Sequence, residues 1–304
     1  MTAHSRVLSP SYWSELSTHL HVDRVSETGT VEVSAGESES LAAHLASQGY
    51  FVSPRLLPAS ECDRLVAGID DVVAAGWSPT WVLLYDDVWS WFRRMRPLAE
   101  KMLGQDCRFV TGNYVFVVPN DDRAGGWGLH RDLPFENSLC SDGMPRIMSF
   151  WLALTEAGPR NSCLYCLPAS RDPNYPNNLA AHSIPHVEDV ECMPAGPGQV
   201  IGLNHALLHW GSRSSSRGNG RRISVVFDLQ RADVQPYHCA WMDLSGPSGF
   251  EQRAAFVAHV VLWLKKYNVQ FSESDIQLAK DLLTRYRHRI QLSASFDADF
   301  WPED

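Results

Sequence analysis

The sequence predicts an α+β domain with a mainly β core, in which an antiparallel barrel or sandwich lies between two helical ends. Three observations support this fold class. The first hundred residues and the residues from Phe250 onward show helical periodicity, whereas residues 107–229 contain short runs rich in β-branched and aromatic residues. Gly, Pro, Asn and Asp separate these runs, and no long helical pattern lies between them. Antiparallel strands are therefore favoured over a βαβ sheet.

The helical ends are predicted from apolar periodicity and from glycines that stop a helix. Three N-terminal helices are predicted, each followed by a glycine: residues 41–47 before Gly49, 61–75 before Gly76 and 88–103 before Gly104. A capping box of Ser60 and Asp63 is expected to open the second helix, and Pro97 predicts a kink or break in the third. Two C-terminal helices, over residues 251–267 and 273–291, are expected to pack on the β core.

Six strands are predicted for the core, over residues 107–119, 146–155, 162–167, 199–203, 207–211 and 221–229. We expect a single domain over residues 1–304, with a helical N-terminal part (1–105), a β core (106–235) and a C-terminal helical extension (236–304).

Composition excludes several classes of partner. The net charge is −9 and no polybasic run is present, so nucleic acid and anionic membrane surfaces are not expected as partners. The longest apolar stretch, Phe256 to Leu264, is nine residues, far short of the about 20 that a membrane span needs. The N-terminus lacks a secretory signal pattern. The seven scattered cysteines are typical of reduced thiols, so we expect a cytoplasmic protein with a small-molecule substrate. The oligomeric state cannot be predicted.

The motif LHRD is the sharpest chemical feature. In a strand, His130 and Asp132 project to one side while Arg131 points away. A third ligand is available from His209, which follows Asp132 by 77 residues (209 − 132). Two histidines and one carboxylate on one face of a metal leave positions open for a bidentate cosubstrate and O2.

A buried cation is the second requirement for a dicarboxylate cosubstrate, and the strand after His209 offers one. Its alternating faces put Ile223, Val225, Phe227 and Leu229 on the outer surface under helices, and Arg222, Ser224, Val226 and Asp228 on the inner surface. Arg222 is therefore expected to face the metal. The alternative is that Arg213, Arg217, Arg221 and Arg222 decorate an exposed loop and hairpin.

The order of blocks resembles the phytanoyl-CoA dioxygenase family of Fe(II)/2-oxoglutarate-dependent oxygenases over roughly residues 41–231. The blocks are HRDL, FWLALTEAGPRNSCLYCLPASR, PGQVIGLNHALLHWGS and RRIS. The middle block matches through Trp151, Glu156, Asn161, Leu164, Pro168 and Ser170. Ser162, Ala169 and Arg171 depart from the family's usual Gly, Gly and His, which concerns the local turn geometry.

The resemblance implies a double-stranded β-helix (a jelly-roll, cupin-like barrel) that holds Fe(II) through His130, Asp132 and His209. Family contacts to 2-oxoglutarate fall on Tyr114, Trp151, Ser212 and Arg222, although Ser212 is displaced by the inserted Trp210. The implied reaction consumes O2 and hydroxylates an aliphatic C–H of a small molecule, with release of succinate and CO2. Related halogenases lack the carboxylate ligand, so Asp132 favours hydroxylation, with desaturation or ring formation as further outcomes.

Other interpretations of these residues stay open at this point. A cupin-like metal-dependent isomerase or hydrolase would use the same ligands but has no use for an inward Arg222, and a non-catalytic metal-binding protein is the third possibility. His205 and His209 have the spacing of a helical zinc pair, but no Glu follows His205. Cys163 and Cys166 are expected to pack in the core. Trp127 and Phe135 are expected near the mouth of the site.

Overall fold

The computed structural model describes residues 6–23, 29–133, 138–236, 240–243, 248–267 and 269–292. Phe135 lies outside the described residues. The described part contains six α-helices: α1 (Pro10–Leu16), α2 (Ala35–Gln48), α3 (Ala59–Ala74), α4 (Asp86–Leu103), α5 (Phe250–Lys265) and α6 (Glu273–Tyr286). It also contains ten strands: β1 (Tyr50–Arg55), β2 (Cys107–Val118), β3 (Ile147–Ala153), β4 (Leu164–Leu167), β5 (Glu191–Met193), β6 (Gln199–Asn204), β7 (Leu208–Gly211), β8 (Arg222–Arg231), β9 (Ala240–Met242) and β10 (Gln291–Leu292).

The predicted helix ends are confirmed at the glycines, but the starts of the first two predicted helices are wrong. The first, α2, begins at Ala35 and not at residue 41. Gly49 and Gly104 take left-handed φ values of 84° and 68°, which a residue with a side chain rarely adopts. No side chain caps α3, which begins at Ala59 after Pro58. The fixed φ of proline suits a helix start, so the helix begins before Ser60 and the predicted capping box does not form.

The third predicted helix is confirmed as α4, which runs through Pro97 without a break. Its apolar face is buried against the sheet, where the ring of Phe92 lies 4.3 Å from that of Phe227. This packing holds the helix together despite the hydrogen bond that proline cannot donate.

The strands form two antiparallel sheets. The larger has the order β1-β6-β3-β8-β2-β9-β10, and the smaller has the order β5-β4-β7. Side chains from both sheets form one apolar cluster, including Trp151 from β3, Leu203 from β6 and Cys166 from β4. The two sheets thus face each other as in a double-stranded β-helix. They do not close into a barrel, which corrects that part of the expectation.

The other face of the larger sheet carries the helices, as predicted. Ile223, Val225, Phe227 and Leu229 belong to the main core together with α4 and α5. Four strands were not predicted: β1, β5, β9 and β10. Of these, β1 lies in the part of the chain expected to be helical, yet it pairs with β6 and forms an edge of the larger sheet. The division into one domain with three parts stays a prediction.

None of the helices in the described ranges is both long and apolar enough to cross a membrane.

Candidate active site

Two segments that carry the predicted metal ligands lie side by side at one end of the sheets. The first, called here the ligand loop (residues 126–133), runs antiparallel to residues 205–212. The backbone N–H of His130 donates to His209 O at 3.0 Å, and the N–H of His209 donates back to His130 O at 2.9 Å. At LHRD the structure therefore has an isolated β-bridge between His130 and His209 in place of the predicted strand.

Two glycines permit this close approach. A Cβ on Gly126 would lie 2.6 Å from the Cα of Gly211, and a Cβ on Gly211 would lie equally close to Gly126. Real Cβ contacts of that length do not occur, so a side chain at either position would push the ligand loop away from β7. Backbone geometry therefore sets the spacing of His130 and His209.

The three predicted ligands come together. His130 Nε2 lies 3.4 Å from Asp132 Oδ1, and His209 Nε2 lies 3.9 Å from Asp132 Oδ2. All three ligand atoms lie within 4.8 Å of one another. His130 Nδ1 lies 2.7 Å from Gly128 O, and His209 Nδ1 lies 3.0 Å from Leu207 O. A carbonyl can only accept, so these contacts favour N–H at Nδ1 and leave both Nε2 atoms available for a metal.

The electrostatics of this group suit a divalent cation. Burial lowers the pKa of His209 to about 4, so its imidazole is neutral near neutral pH, as a ligand must be. Burial acts to raise the pKa of the Asp132 carboxyl, but His209, His205 and His130 together hold it well below its usual value. Burial acts to lower the pKa of His130, but the Asp132 carboxylate and hydrogen bonds raise it, so a metal would displace a proton there. The set offers two imidazole nitrogens and one carboxylate, which fits the 2-His-1-carboxylate pattern of non-haem iron sites.

Arg131 points away from the ligands, as predicted, and ties the two ligand segments together. Its guanidinium donates to Asp172 Oδ2 at 2.7 Å and to Ala206 O at 2.6 Å. The side chains of this ion pair are 0% and 1% exposed. Arg131 therefore anchors the ligand loop to the turn between β6 and β7, which carries His205.

Arg222 is buried on the inner face of β8, as predicted. Its Nε donates to Ser162 O at 3.0 Å, Nη2 to Ser162 Oγ at 3.1 Å and Nη1 to Ser224 Oγ at 2.8 Å. The rings of Phe116 and Trp151 each lie 5.3 Å from its guanidinium carbon. None of the described residues forms an ion pair with Arg222, and burial lowers its pKa to about 10. A carboxylate that enters this site would find an unneutralised cation.

Ser162 is a partner of Arg222 that the sequence indicated only as a departure from the family's glycine. It keeps a left-handed φ of 66°, the conformation that glycine adopts easily. Its hydroxyl donates to Ser212 O at 2.7 Å while its carbonyl and Oγ accept from Arg222. The signal that could have found it is the serine in place of glycine beside a predicted buried arginine.

Ser212 is the one predicted cosubstrate contact that the structure does not bring to the site. Its side chain does not reach the cavity wall and lies 3.4 Å from Arg213 O, while its backbone carbonyl accepts from Ser162. The inserted Trp210 accounts for the displacement, since Trp210 packs on Tyr165 on the outer side of the smaller sheet. Tyr114 and Trp151 line the cavity as expected.

A cavity of about 700 Å³ joins these groups. The triad lies on its wall between Arg222 at one end and a polar group at the other, which consists of Ser149, His205 and Asp228. His205 is 2% exposed and is not in a helix with His209, so the helical zinc pair is excluded. The alternation of β8 predicted the inward position of Asp228, but no role was assigned to it.

The remaining predicted positions agree with the structure. Trp127 lines the cavity and stacks on Tyr114 with ring centroids 6.1 Å apart. Cys163 and Cys166 are fully buried in the cluster between the sheets. Arg221 lies outside the cavity and pairs with Asp70 at 2.5 Å.

Two facing antiparallel sheets with a two-histidine, one-carboxylate group beside a buried arginine define the class of jelly-roll non-haem metal oxygenases. Residues 78–223 match the family model of phytanoyl-CoA dioxygenase (PhyH). Over these residues the chain is similar to the phytanoyl-CoA dioxygenase family, which confirms the resemblance that the motifs indicated. The match supports a 2-oxoglutarate-dependent oxidoreductase.

Solved structures with the same fold support this assignment of architecture. The structure described as the non-heme monooxygenase ThoJ in complex with nickel is 14% identical, covers 82% of this chain and 96% of its own, and has a TM-score of 0.54. The non-heme alpha ketoglutarate dependent carbocyclase SnoK from nogalamycin biosynthesis is 15% identical, covers 69% of this chain and 90% of its own, and has a TM-score of 0.51. No curated protein matches this sequence.

Proposed function

We propose that the chain is an Fe(II)- and 2-oxoglutarate-dependent dioxygenase that hydroxylates an aliphatic C–H of a small molecule, with release of succinate and CO2. The observation that carries this proposal is Arg222, a buried cation with only neutral partners among the described residues, in the same cavity as the metal-ligand triad. A metal site without a dicarboxylate partner would not need it.

In this proposal His130, Asp132 and His209 hold Fe(II). The bound iron supplies the redox chemistry that O2 and 2-oxoglutarate drive. The carbonyls of Gly128 and Leu207 keep both imidazoles oriented with Nε2 toward the metal.

The cosubstrate end of the cavity is assigned to Arg222, whose guanidinium pairs with the distal carboxylate of 2-oxoglutarate. Ser162 and Ser224 hold the guanidinium in place by accepting hydrogen bonds from it. Tyr114 and Trp151 form the walls beside it, and the Tyr114 hydroxyl is a candidate donor to the same carboxylate. Burial raises the pKa of Tyr114, so its proton stays on the oxygen.

Two observations favour oxygenase chemistry over the alternatives. A cupin-like isomerase or hydrolase gains nothing from a desolvated arginine, and a non-catalytic protein gains nothing from a shaped cavity of about 700 Å³. The carboxylate of Asp132 supports hydroxylation because it occupies the coordination position that a halide would need. The fold is also found in a protein described as a carbocyclase, so ring formation is the second outcome to assay.

The test uses the purified protein with Fe(II) under anaerobic conditions. Addition of 2-oxoglutarate should produce a visible charge-transfer absorption that requires both components, and admission of O2 should release succinate. Arg222→Ala should need roughly ten- to a hundredfold more 2-oxoglutarate than the wild type to reach the same absorption. A protein that binds Fe(II) but shows neither the absorption nor succinate would exclude the proposed function.

A cytoplasmic location stays a prediction.

A further inference from the structure

The cavity has two oppositely charged ends, and only one of them is used by the proposed cosubstrate. Arg222 and Asp228 lie on the same face of β8, six residues apart (228 − 222), which corresponds to roughly 20 Å along a strand. Both side chains line the cavity, and Ser149 Oγ lies within hydrogen-bond distance of Asp228 and of the proposed ligand Asp132. Asp228 itself is neither one of the three proposed metal ligands nor a partner of Arg222.

The carboxylate of Asp228 is held in position by neighbouring strands. Ser149 Oγ donates to Asp228 Oδ1 at 2.7 Å, and His205 Nε2 lies 3.0 Å from the same hydroxyl. On the neighbouring strand β2, a glycine makes room for the Asp228 carboxylate. Gly112 has a φ of 148°, and a Cβ at this position would lie 1.8 Å from Asp228 Oδ2. The register of β2 against β8 shifts between Val110 and Tyr114, around this glycine. The wall is therefore shaped around the carboxylate.

Asp228 has no fixed cation as a partner among the described residues. No lysine or arginine of the described part forms an ion pair with it, and the one ion-pair partner there is His205. His205 lies 3.7 Å away but is also 3.9 Å from Asp132, so it is shared between the two carboxylates. A metal ion would neutralise Asp132, and 2-oxoglutarate would neutralise Arg222. Asp228 would remain for the substrate.

Part of the cavity wall is apolar and comes from outside the residues that match the family model. Trp263 and Leu264 of α5 and Tyr267 just after it line the cavity. Trp127 and Leu129 of the ligand loop line the same cavity. Trp127, Leu129 and Tyr267 are 38%, 37% and 56% exposed, and they are three of the exposed large apolar side chains among the described residues. Their convergence at one opening indicates a ligand with a bulky apolar part.

We propose that the substrate is an amine with an apolar body, whose ammonium group donates to Asp228 and whose body packs against Trp263 and Tyr267. This assignment rests on the proposed function, since it takes the substrate to bind in the same cavity as iron and 2-oxoglutarate. The aromatic wall also suits a cation in transit to Asp228, because aromatic faces attract ammonium groups. The residues of α5 would then set specificity for the body, and Asp228 would set specificity for the head group.

The test compares two probes that differ only in the head group, phenylbutylamine and phenylbutanol. Each is titrated calorimetrically into the anaerobic protein loaded with Fe(II) and 2-oxoglutarate. The amine should bind about ten- to a hundredfold more tightly than the alcohol, the advantage expected of a charge-assisted hydrogen bond over a neutral one. In Asp228→Asn, which keeps the shape of the side chain, this preference should disappear.

Controls separate a specific site from general attraction of a cation to an acidic protein. Asp70→Asn removes the same charge at the surface and should keep the full preference for the amine. Tyr267→Ala should weaken both probes by a similar factor and keep the preference. Loading of the protein with Fe(II) and 2-oxoglutarate is monitored through the absorption of their complex. If that complex never forms, the proposed function fails, and the same titrations on the metal-free protein still test Asp228.

Equal binding of amine and alcohol to the wild type would overturn the proposal, and so would an unchanged preference in Asp228→Asn. If Asp228→Asn does not fold, the affinities of the wild type for the amine, the alcohol and phenylbutyrate test the proposal instead. Tightest binding of the amine and weakest binding of the carboxylate supports an anionic subsite, and any other order excludes it.

Discussion

Replacement of Arg222 by alanine removes the cation that we propose pairs with the distal carboxylate of 2-oxoglutarate, while replacement of its neighbour Arg221 removes a surface ion pair. The two residues are adjacent, but successive residues of a strand face opposite ways. Arg222 is 1% exposed and its described partners are neutral oxygens and aromatic rings. Arg221 is partly exposed and pairs with Asp70. The pair of variants therefore separates the inner face of β8 from its outer face.

The expected magnitude follows from the environment of each guanidinium. Loss of a charge-assisted hydrogen-bonding partner costs about 1.5–3 kcal/mol, so Arg222→Ala should weaken binding of 2-oxoglutarate roughly ten- to a hundredfold. Burial makes the upper part of this range the better expectation, because little water screens the interaction. Arg222→Lys keeps the charge but loses the fork that Ser162 and Ser224 orient, so it should fall between the wild type and Arg222→Ala.

Arg221→Ala should leave the affinity for 2-oxoglutarate within about twofold of the wild type, because its ion pair with Asp70 lies outside the cavity. An exposed pair of this kind contributes about 0.2–1 kcal/mol to the free energy of unfolding. The dissociation constant for 2-oxoglutarate is measured by anaerobic titration of the Fe(II) protein, with the absorption of the complex as the readout. Urea unfolding of each variant shows whether the fold is intact.

One result would refute the reasoning about the strand. A large loss of affinity in Arg221→Ala together with wild-type affinity in Arg222→Ala would mean that the register of β8 is shifted by one residue. The inner and outer faces would then exchange, and Asp228 would leave the cavity as well.

Three other outcomes follow from the site. His209→Ala should abolish stoichiometric Fe(II) binding in an anaerobic metal titration, because two protein ligands cannot hold the metal on one face. Retained binding would show that His209 is not a metal ligand. Asp132→Gly should lose succinate release, and turnover at the native rate would show that Asp132 is not a ligand. Arg131→Ala should lower the free energy of unfolding in urea by about 3–5 kcal/mol, because it leaves the buried Asp172 carboxylate without its partner. The double variant Arg131→Ala/Asp172→Ala should recover part of that loss, and full additivity of the two changes would contradict a direct interaction.

Local patterns explain which parts of the fold were predictable from the sequence. The alternation of β8 reports its two environments residue by residue, so the outward Phe227 and the inward Arg222 could be assigned without a structure. The His-x-Asp spacing works in the same way, since it depends only on side chains two residues apart. Glycine after an apolar helical pattern also marked the ends of α2 and α4 correctly.

Long-range contacts explain the parts that were missed. β1 is six residues long, contains Pro54 and lies between two helices, and only its pairing with the distant β6 makes it a strand. Ser149, His205 and Asp228 come from β3, the β6–β7 turn and β8, which meet because of the sheet order rather than any spacing in the chain. Ser162 was undervalued because its contact with Arg222 joins residues 60 positions apart.

The reciprocal hydrogen bonds between His130 and His209 have a consequence for how the protein acquires its metal. In proteins whose ligands come together only around the ion, the free energy of metal binding also drives folding, so removal of the metal by a chelator unfolds the protein. Here the backbone bridge, the contact between Gly126 and Gly211 and the anchor from Arg131 hold the ligands together through the polypeptide itself. The metal-free protein should therefore remain folded after treatment with a chelator. It should be able to exchange one divalent ion for another without an intervening unfolded state.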